Sequence, residues 1–367
     1  MTTGYVWHEL YGWHDTGTFA GFLRPGLTVQ PYQHFESAES KVRFNSLVEV
    51  SGLARHLVRI DPVPATVADI LRVHTSEHHD RIVEQSAQDK GGFAGDAESP
   101  FGHGSYEIAL LAAGGAIQAL RAVVSGEVSN AYALVRPPGH HARPSTGMGF
   151  CIFNNAAVAI QHVRAELGVT RVAVIDWDVH HGNGTQEVFY ADPDVLTVSL
   201  HQDNLFPFDS GHLTERGQGA GEGSTLNIPL PAGCGNGAYL EAMRRVVLPA
   251  VRAFAPDVIV VASGFDASAA DPLGRMLVTS QGYRDMTDMV LELAADVCGG
   301  RLMMTHEGGY SPTYVPYCGL AVLEQMSGVK TGIADDFGAG YDELPDQRLM
   351  DHQRAVIEAA ARLAGLT

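Results

Sequence analysis

The run Val172-Ala173-Val174-Ile175-Asp176-Trp177-Asp178-Val179-His180-His181-Gly182-Asn183-Gly184 limits the folds open to this chain more than any other stretch. It starts apolar and β-branched, as a strand buried on both faces of a parallel sheet must be. From Asp176 it turns polar at alternate positions. Successive residues of an extended chain point to opposite sides, so Asp176, Asp178 and His180 are expected to lean the same way if the strand continues. Buried carboxylates without partners cost several kcal/mol and are rarely kept as packing. The run therefore points to a cation site at the C-terminal end of a parallel strand, where open α/β sheets hold their ligands. The competing account is a hydrogen-bonded structural Asp/His cluster. The density of the run and its place ahead of a Gly-x-Gly break favour a metal.

A strand–loop–helix rhythm surrounds this run. Tyr5–His8 reads as a strand, and residues from about Ser40 to Ala87 as helical with breaks at Pro62 and Pro64. A Gly-rich loop, Gly91 to Gly104, carries Asp96 and Glu98. A helix from about Ser105 to Ser125 is expected to be capped by Ser105 and to end near Gly126. Further strands are predicted at Ala131–Val135, Val195–Leu200, Asp257–Ala262 and Arg301–Met304. Further helices are predicted at Asn154–Glu166, near Gln186, and at Gly237–Phe254, Ser280–Cys298 and Gln347–Leu363. Strands alternating with helices imply an α/β fold, a mostly parallel central sheet with helices on both faces. No repeat, linker or low-complexity tract divides the chain, so residues 1–367 are read as one domain.

Composition narrows the function. A formal charge of −18 leaves no Lys/Arg cluster for phosphates, which excludes a nucleic-acid surface and weakly favours cationic substrates. The four cysteines (Cys151, Cys234, Cys298, Cys318) show neither C-x-x-C spacing nor disulfide density. No basic-then-apolar leader and no apolar run of transmembrane length stand out, so a soluble cytoplasmic protein without membrane contact is expected. His74 and His78 have the i,i+4 spacing of a helical metal pair, but no third ligand lies nearby and a structural role is preferred.

Four predicted strands end alike, in an apolar run, a break, and a chemically capable residue. The endings are Arg136-Pro137-Pro138-Gly139-His140-His141, the Asp176/Asp178/His180 run, Ser263-Gly264-Phe265-Asp266, and Glu307-Gly308-Gly309-Tyr310. Gathered on one edge of a parallel sheet they would form an active site. Asp178, His180 and Asp266 supply the three protein ligands of a catalytic zinc ion with an open fourth position. His140 and His141 can serve as base and acid, and Tyr310 can donate to a developing oxyanion. That set hydrolyses an amide or ester. No Gly-x-Ser-x-Gly, phosphate-binding or dinucleotide fingerprint competes with it.

These motifs, with Gly149-Phe150-Cys151-Ile152-Phe153-Asn154-Asn155 and Asp271-Pro272-Leu273, carry a resemblance. The chain resembles the histone deacetylase family, and is most similar to the bacterial class II histone deacetylase-like amidohydrolases of the arginase/deacetylase superfamily. The resemblance covers roughly residues 130 to 315 directly. It implies a single-domain arginase/deacetylase fold, zinc on Asp178, His180 and Asp266, and removal of acyl groups from amines. It implies Gly149, Phe150 and Phe206 around a narrow channel for an acyl-lysine stem. It implies a structural potassium ion on Asp176, Ser199 and main-chain oxygens of Asp178, His180 and Leu200. A second potassium would take main-chain oxygens of Phe189, Asp192 and Val195. Asn183 stands where many relatives have Asp, the class II form, and is expected to pair with His141, while Asp176 orients His140. Ser268 stands where ureohydrolases of the same fold have a second-metal Asp, which favours one divalent ion. The expected partner is an acylated amine, either an acyl-lysine peptide or protein or a small acetylated polyamine, and the reading leaves room for a homo-oligomer. Leu273 after Asp271-Pro272 offers a polyamine no charge and favours the lysine-type substrate.

Overall fold

The structure is a computed structural model that describes residues 2–366. In chain order the elements are β1 Thr3–Val6, α1 Glu39–Val50, β2 Val58–Arg59, α2 Val67–Ile70, α3 Ser76–Ser86, β3 Gly92–Phe93, β4 Pro100–Phe101, α4 Ser105–Val124, β5 Asn130–Ala133, α5 Asn155–Leu167, β6 Val172–Asp176, α6 Asn183–Phe189 and β7 Val195–Gln202. Then follow β8 Thr225–Leu230, α7 Asn236–Ala242, α8 Leu248–Phe254, β9 Val258–Ser263, α9 Ser280–Cys298, β10 Leu302–His306, α10 Val315–Ser327, α11 Asp336–Asp342 and α12 Asp351–Leu363.

Eight strands form one sheet in the order β2-β1-β5-β10-β9-β6-β7-β8. Every pairing in it is parallel. The central strands are buried along their whole length, and two of them, β6 and β9, are β-branched runs such as Val258-Ile259-Val260-Val261. Each such side chain contributes roughly 1.5–3 kcal/mol by leaving water. α4 packs on β1 and β5 with α5 beside it, and α9 packs on β9 with α10 and α1 beside it, so helices cover both faces. The four strands whose ends carry the chemical motifs, β5, β10, β9 and β6, are neighbours at the middle of the sheet. Registers such as Asp176↔Ala262 and Ser263↔His306 bring their C-terminal ends level.

Several expectations are corrected. β6 ends at Asp176, and residues 177–182 are irregular, so the alternation does not carry Asp178 and His180 onto the side of Asp176. The helix expected over 237–254 is interrupted by a π-helical turn, Met243–Val247, ahead of Pro249. Ser105 does not cap α4; Gly104 holds the cap position in the left-handed conformation, and Ser105 Oγ bonds His14 Nδ1 at 3.0 Å. α4 itself is long and apolar enough by length and composition to cross a membrane, contrary to the sequence expectation. Its residues are mostly buried against the sheet and α5, as in a core helix. His74 lies before α3, not on it. Its Nδ1 meets Arg143 O, its Nε2 accepts from Asn154 N, and His78 is likewise spent on Ile152 O and Arg81. Both are structural.

Candidate active site

The metal-competent atoms of Asp178, His180 and Asp266 lie within 4.8 Å of one another and are buried, the one such group among the described residues. His180 Nδ1 stands 3.1 Å from both Asp178 Oδ1 and Asp266 Oδ2. Burial and the nearby Asp178 push the Asp266 carboxyl up to about 7. Burial acts the same way on Asp178, but the His140 and His180 imidazoles outweigh it and hold that carboxyl below its usual range. Two carboxylates this close repel unless a cation lies between them. Backbone closes around the cluster, since a Cβ at Gly308 would sit 2.1 Å from Asp266 Oδ2 and 2.7 Å from Asp178 Oδ2. The donor set, the burial and this tight cradle fit a single divalent ion.

Beside the cluster stand His140 and His141, with ring centroids 3.9 Å apart. His140 Nδ1 meets Asp176 Oδ2 at 3.0 Å, and His141 Nδ1 meets Asn183 Oδ1 at 2.8 Å. The two rings are driven apart electrostatically. Burial disfavours charge on His140, yet Asp178 and Asp176 override it and hold its imidazole up at about 10. Burial, followed by the charges of His140 and His180, keeps the His141 imidazole well below the ordinary histidine range. The two neighbouring rings are thus pushed in opposite directions, His140 toward the charged form and His141 toward the neutral one.

The loop that carries the pair is anchored far away in sequence. The Arg136 guanidinium donates to Glu36 Oε1 at 2.9 Å and to the carbonyls of Tyr11 and His14. Lys41 Nζ adds a contact to Glu36 at 3.3 Å, and all three side chains are buried. Tyr310 is held by its N–H on Asp271 Oδ2 at 2.7 Å, with Lys41 Nζ 5.1 Å from its ring centroid. Burial pushes the Tyr310 hydroxyl far up, so it stays protonated and able to donate.

These groups open onto a cavity of about 380 Å³ whose lining includes His141, His180, Tyr310, Gly149, Phe150, Phe206 and Leu273. Phe206 stands edge-on to His141 with centroids 5.0 Å apart, and Phe150 edge-on to Tyr310 at 5.6 Å. The narrowness is built into the backbone. Gly149 has φ +55°, and a Cβ there would lie 2.3 Å from His141 Cδ2. Phe150 is itself left-handed at φ 70°, a conformation that costs a bulky residue about 1–3 kcal/mol and persists only where its surroundings enforce it. Asp96 and Ser99 enforce it, taking the N–H groups of Gly149 and Phe150 at 2.8 Å each.

The chain matches the histone deacetylase domain over residues 34–326. It belongs to the histone deacetylase family. A Pseudomonas aeruginosa histone deacetylase-like amidohydrolase is 49% identical over 99% of this chain and 96% of its own length. Histone deacetylase 8 of Arabidopsis thaliana is 42% identical, over 92% and 91% respectively. The crystal structure of an HDA15 HD domain superposes with a TM-score of 0.84 at 31% identity, covering 99% of this chain and 96% of that one. Fold, deacetylase or amidohydrolase class and metal dependence follow from that membership.

Sequence reasoning named the deep residues of this histone deacetylase cavity and Leu273 on its rim, but missed Phe22, Leu205, Phe208 and Arg275, which line it beside Pro272 and Glu98. These lie in loops whose convergence no local pattern announces. Of the residues associated with potassium, Asp176 and Ser199 face each other across β6 and β7, with Leu200 next along β7. Phe189, Asp192 and Val195 lie apart from the cavity, Val195 pairing with Val172 at the opposite ends of the strands. The Asp192 side chain is engaged by Arg164, and Asp192 N bonds Phe189 O at 3.0 Å.

Proposed function

We propose that the protein is a zinc-dependent amidohydrolase that removes acetyl or short acyl groups from the ε-amine of lysine-type substrates. The observation that carries this reading is the convergence of the Asp178/His180/Asp266 cluster, a neutral His141 and a protonated Tyr310 on one narrow, aromatic-walled cavity. A zinc ion on the three ligands would supply carbonyl polarisation and a more acidic water. Phe150 and Phe206 confine a flexible aliphatic stem and exclude bulk water. With Nδ1 tied to Asn183, His141 turns its free nitrogen to the cavity and takes the proton of the attacking water. His140, charged and held by Asp176, favours the negative charge that grows during attack. The Tyr310 hydroxyl donates to the carbonyl oxygen as it becomes an oxyanion. His141 then passes its proton to the leaving nitrogen, the C–N bond breaks, and carboxylate and amine are released.

Potassium ions at Asp176, Ser199 and Leu200, and at Phe189, Asp192 and Val195, belong to the same proposal. The first set offers carboxylate and hydroxyl oxygens of the kind hard cations take. Four buried, unpaired thiols support a reducing cytoplasmic setting.

The mouth bears on the substrate. Asp96 is spent on the N–H groups of Gly149 and Glu98, which leaves Glu98 as the carboxylate available at the cavity entrance. Arg275 lines the same entrance, its guanidinium fixed on the carbonyls of Gly274 and Pro272. The Arg275 guanidinium on that rim opposes a polycation, and the apolar Leu273 beside it offers such a substrate no ion pair. An acetyl-lysine peptide is therefore expected to show a higher kcat/KM than acetylputrescine or acetylspermidine. A polyamine preference above about tenfold, roughly 1.4 kcal/mol of discrimination, would overturn the choice. Loss of such a preference in Glu98→Gln would assign it to that carboxylate.

A second expectation concerns pH. A carboxylate facing the Nδ1 proton of His141 stabilises imidazolium better than the neutral Asn183 amide, so Asn183→Asp raises the pKa of His141. The base is then neutral only at higher pH, and the acidic limb of the kcat/KM profile should move upward. An unmoved limb in a folded, metal-loaded variant would break the proposed pairing.

A further inference from the structure

Glu307, at the C-terminal end of β10, is wholly buried and has no part in the mechanism above. Its Oε2 accepts the N–H groups of Gly139 at 2.7 Å and His140 at 3.0 Å. Two successive backbone N–H groups converging on one oxygen form an anion nest. Its Oε1 is buried without a hydrogen-bond partner. A carboxylate this deep costs several kcal/mol in lost hydration. The residues beside it show what is held in return. Gly308 N donates to Asp178 Oδ2 at 2.8 Å, and Tyr310 N donates to Asp271 Oδ2 at 2.7 Å. Within one tetrapeptide, successive backbone or side-chain contacts thus reach the histidine loop, a metal ligand and the anchor of the oxyanion donor. Asn155 Nδ2 on Pro137 O and Thr185 N on His140 O hold carbonyls of the loop, whereas Glu307 takes the N–H groups of Gly139 and His140.

We propose that Glu307 is a positioning residue for the histidine pair, its carboxylate clamping the Gly139–His140 peptide so that both rings stand in fixed register with Asp178, His180 and Tyr310. This rests on the role given to the pair above. The test uses the full-length, metal-loaded protein and an acetyl-lysine peptide. Glu307→Ala is expected to lower kcat roughly tenfold to a hundredfold, the effect of slightly misplacing a catalytic group, with KM and metal content unchanged. Glu307→Gln keeps an acceptor oxygen for both N–H groups and should recover most of that loss. Glu307→Asp keeps the charge but withdraws the oxygens by one methylene, and should remain low. On a His141→Ala background, Glu307→Ala should cost clearly less than it does alone, because the base is gone and only the electrostatic help of His140 remains to be lost. An alanine variant within about threefold of wild type in kcat, or an undiminished loss on the His141→Ala background, would overturn the clamp. So would a glutamine variant no better than alanine. If Glu307→Ala does not fold, the Gln and Asp variants decide, and Asp equal to or better than Gln overturns it. Wild-type protein inactive on every acylated amine removes the deacylase reading itself, a failure visible before Glu307 is altered.

Discussion

Asp178→Ala is expected to remove the bound divalent ion and the activity together, with kcat falling by at least about three orders of magnitude, some 4 kcal/mol of transition-state stabilisation. Asp178 does more than offer one ligand atom. Its Oδ1 accepts His180 N at 2.9 Å and its Oδ2 accepts Gly308 N at 2.8 Å, so the carboxylate also fixes a second ligand and the backbone that closes over Asp266. His180→Ala should behave the same way, because its imidazole is the nitrogen ligand between the two carboxylates. Elemental analysis beside steady-state kinetics measures both effects. The wild type should carry one divalent ion per chain, zinc as isolated. Two divalent ions per chain, or full turnover after exhaustive chelation, would refute the single-metal mechanism. Ser268, the position at which a second metal would need a carboxylate, is buried with its hydroxyl unpaired.

Tyr310→Phe should lower kcat on an acetamide substrate by roughly two to three orders of magnitude, the usual loss when an oxyanion donor is deleted. Metal content and KM should hardly move. The ring would keep its edge-on contact with Phe150 and its place near Lys41, so the substitution removes little beyond the donor. A change in KM alone would make Tyr310 a binding residue.

The deep site could be read from sequence because each of its parts is local. An apolar run, a break and a chemically capable residue lie within about ten residues of each other at each strand end, and a parallel sheet brings such ends to one edge. What escaped the sequence depends on distance along the chain. Glu36 and Arg136 are a hundred residues apart, and nothing near either announces the pair. Asp96 stands about fifty residues before the strained Gly149–Phe150 turn that its carboxylate holds, and nothing in its own loop announces that contact. β8 escaped because it is an edge strand with Asn227 and Pro229, where one side needs no partner and the apolar pattern weakens. α10 escaped for the opposite reason, being buried on nearly all sides and so lacking a helical stripe.

The Glu36–Arg136–Lys41 cluster makes residues 11–41 a wedge pinned to the start of the catalytic loop. Prising that wedge out would strand the buried guanidinium without its carboxylate, a penalty of about 3–5 kcal/mol, which is a large share of what holds a protein folded. Because the same segment also carries Phe22 at the cavity and His34 against Phe150, a fusion partner or protease acting on it is expected to disturb the histidine pair and the channel wall together.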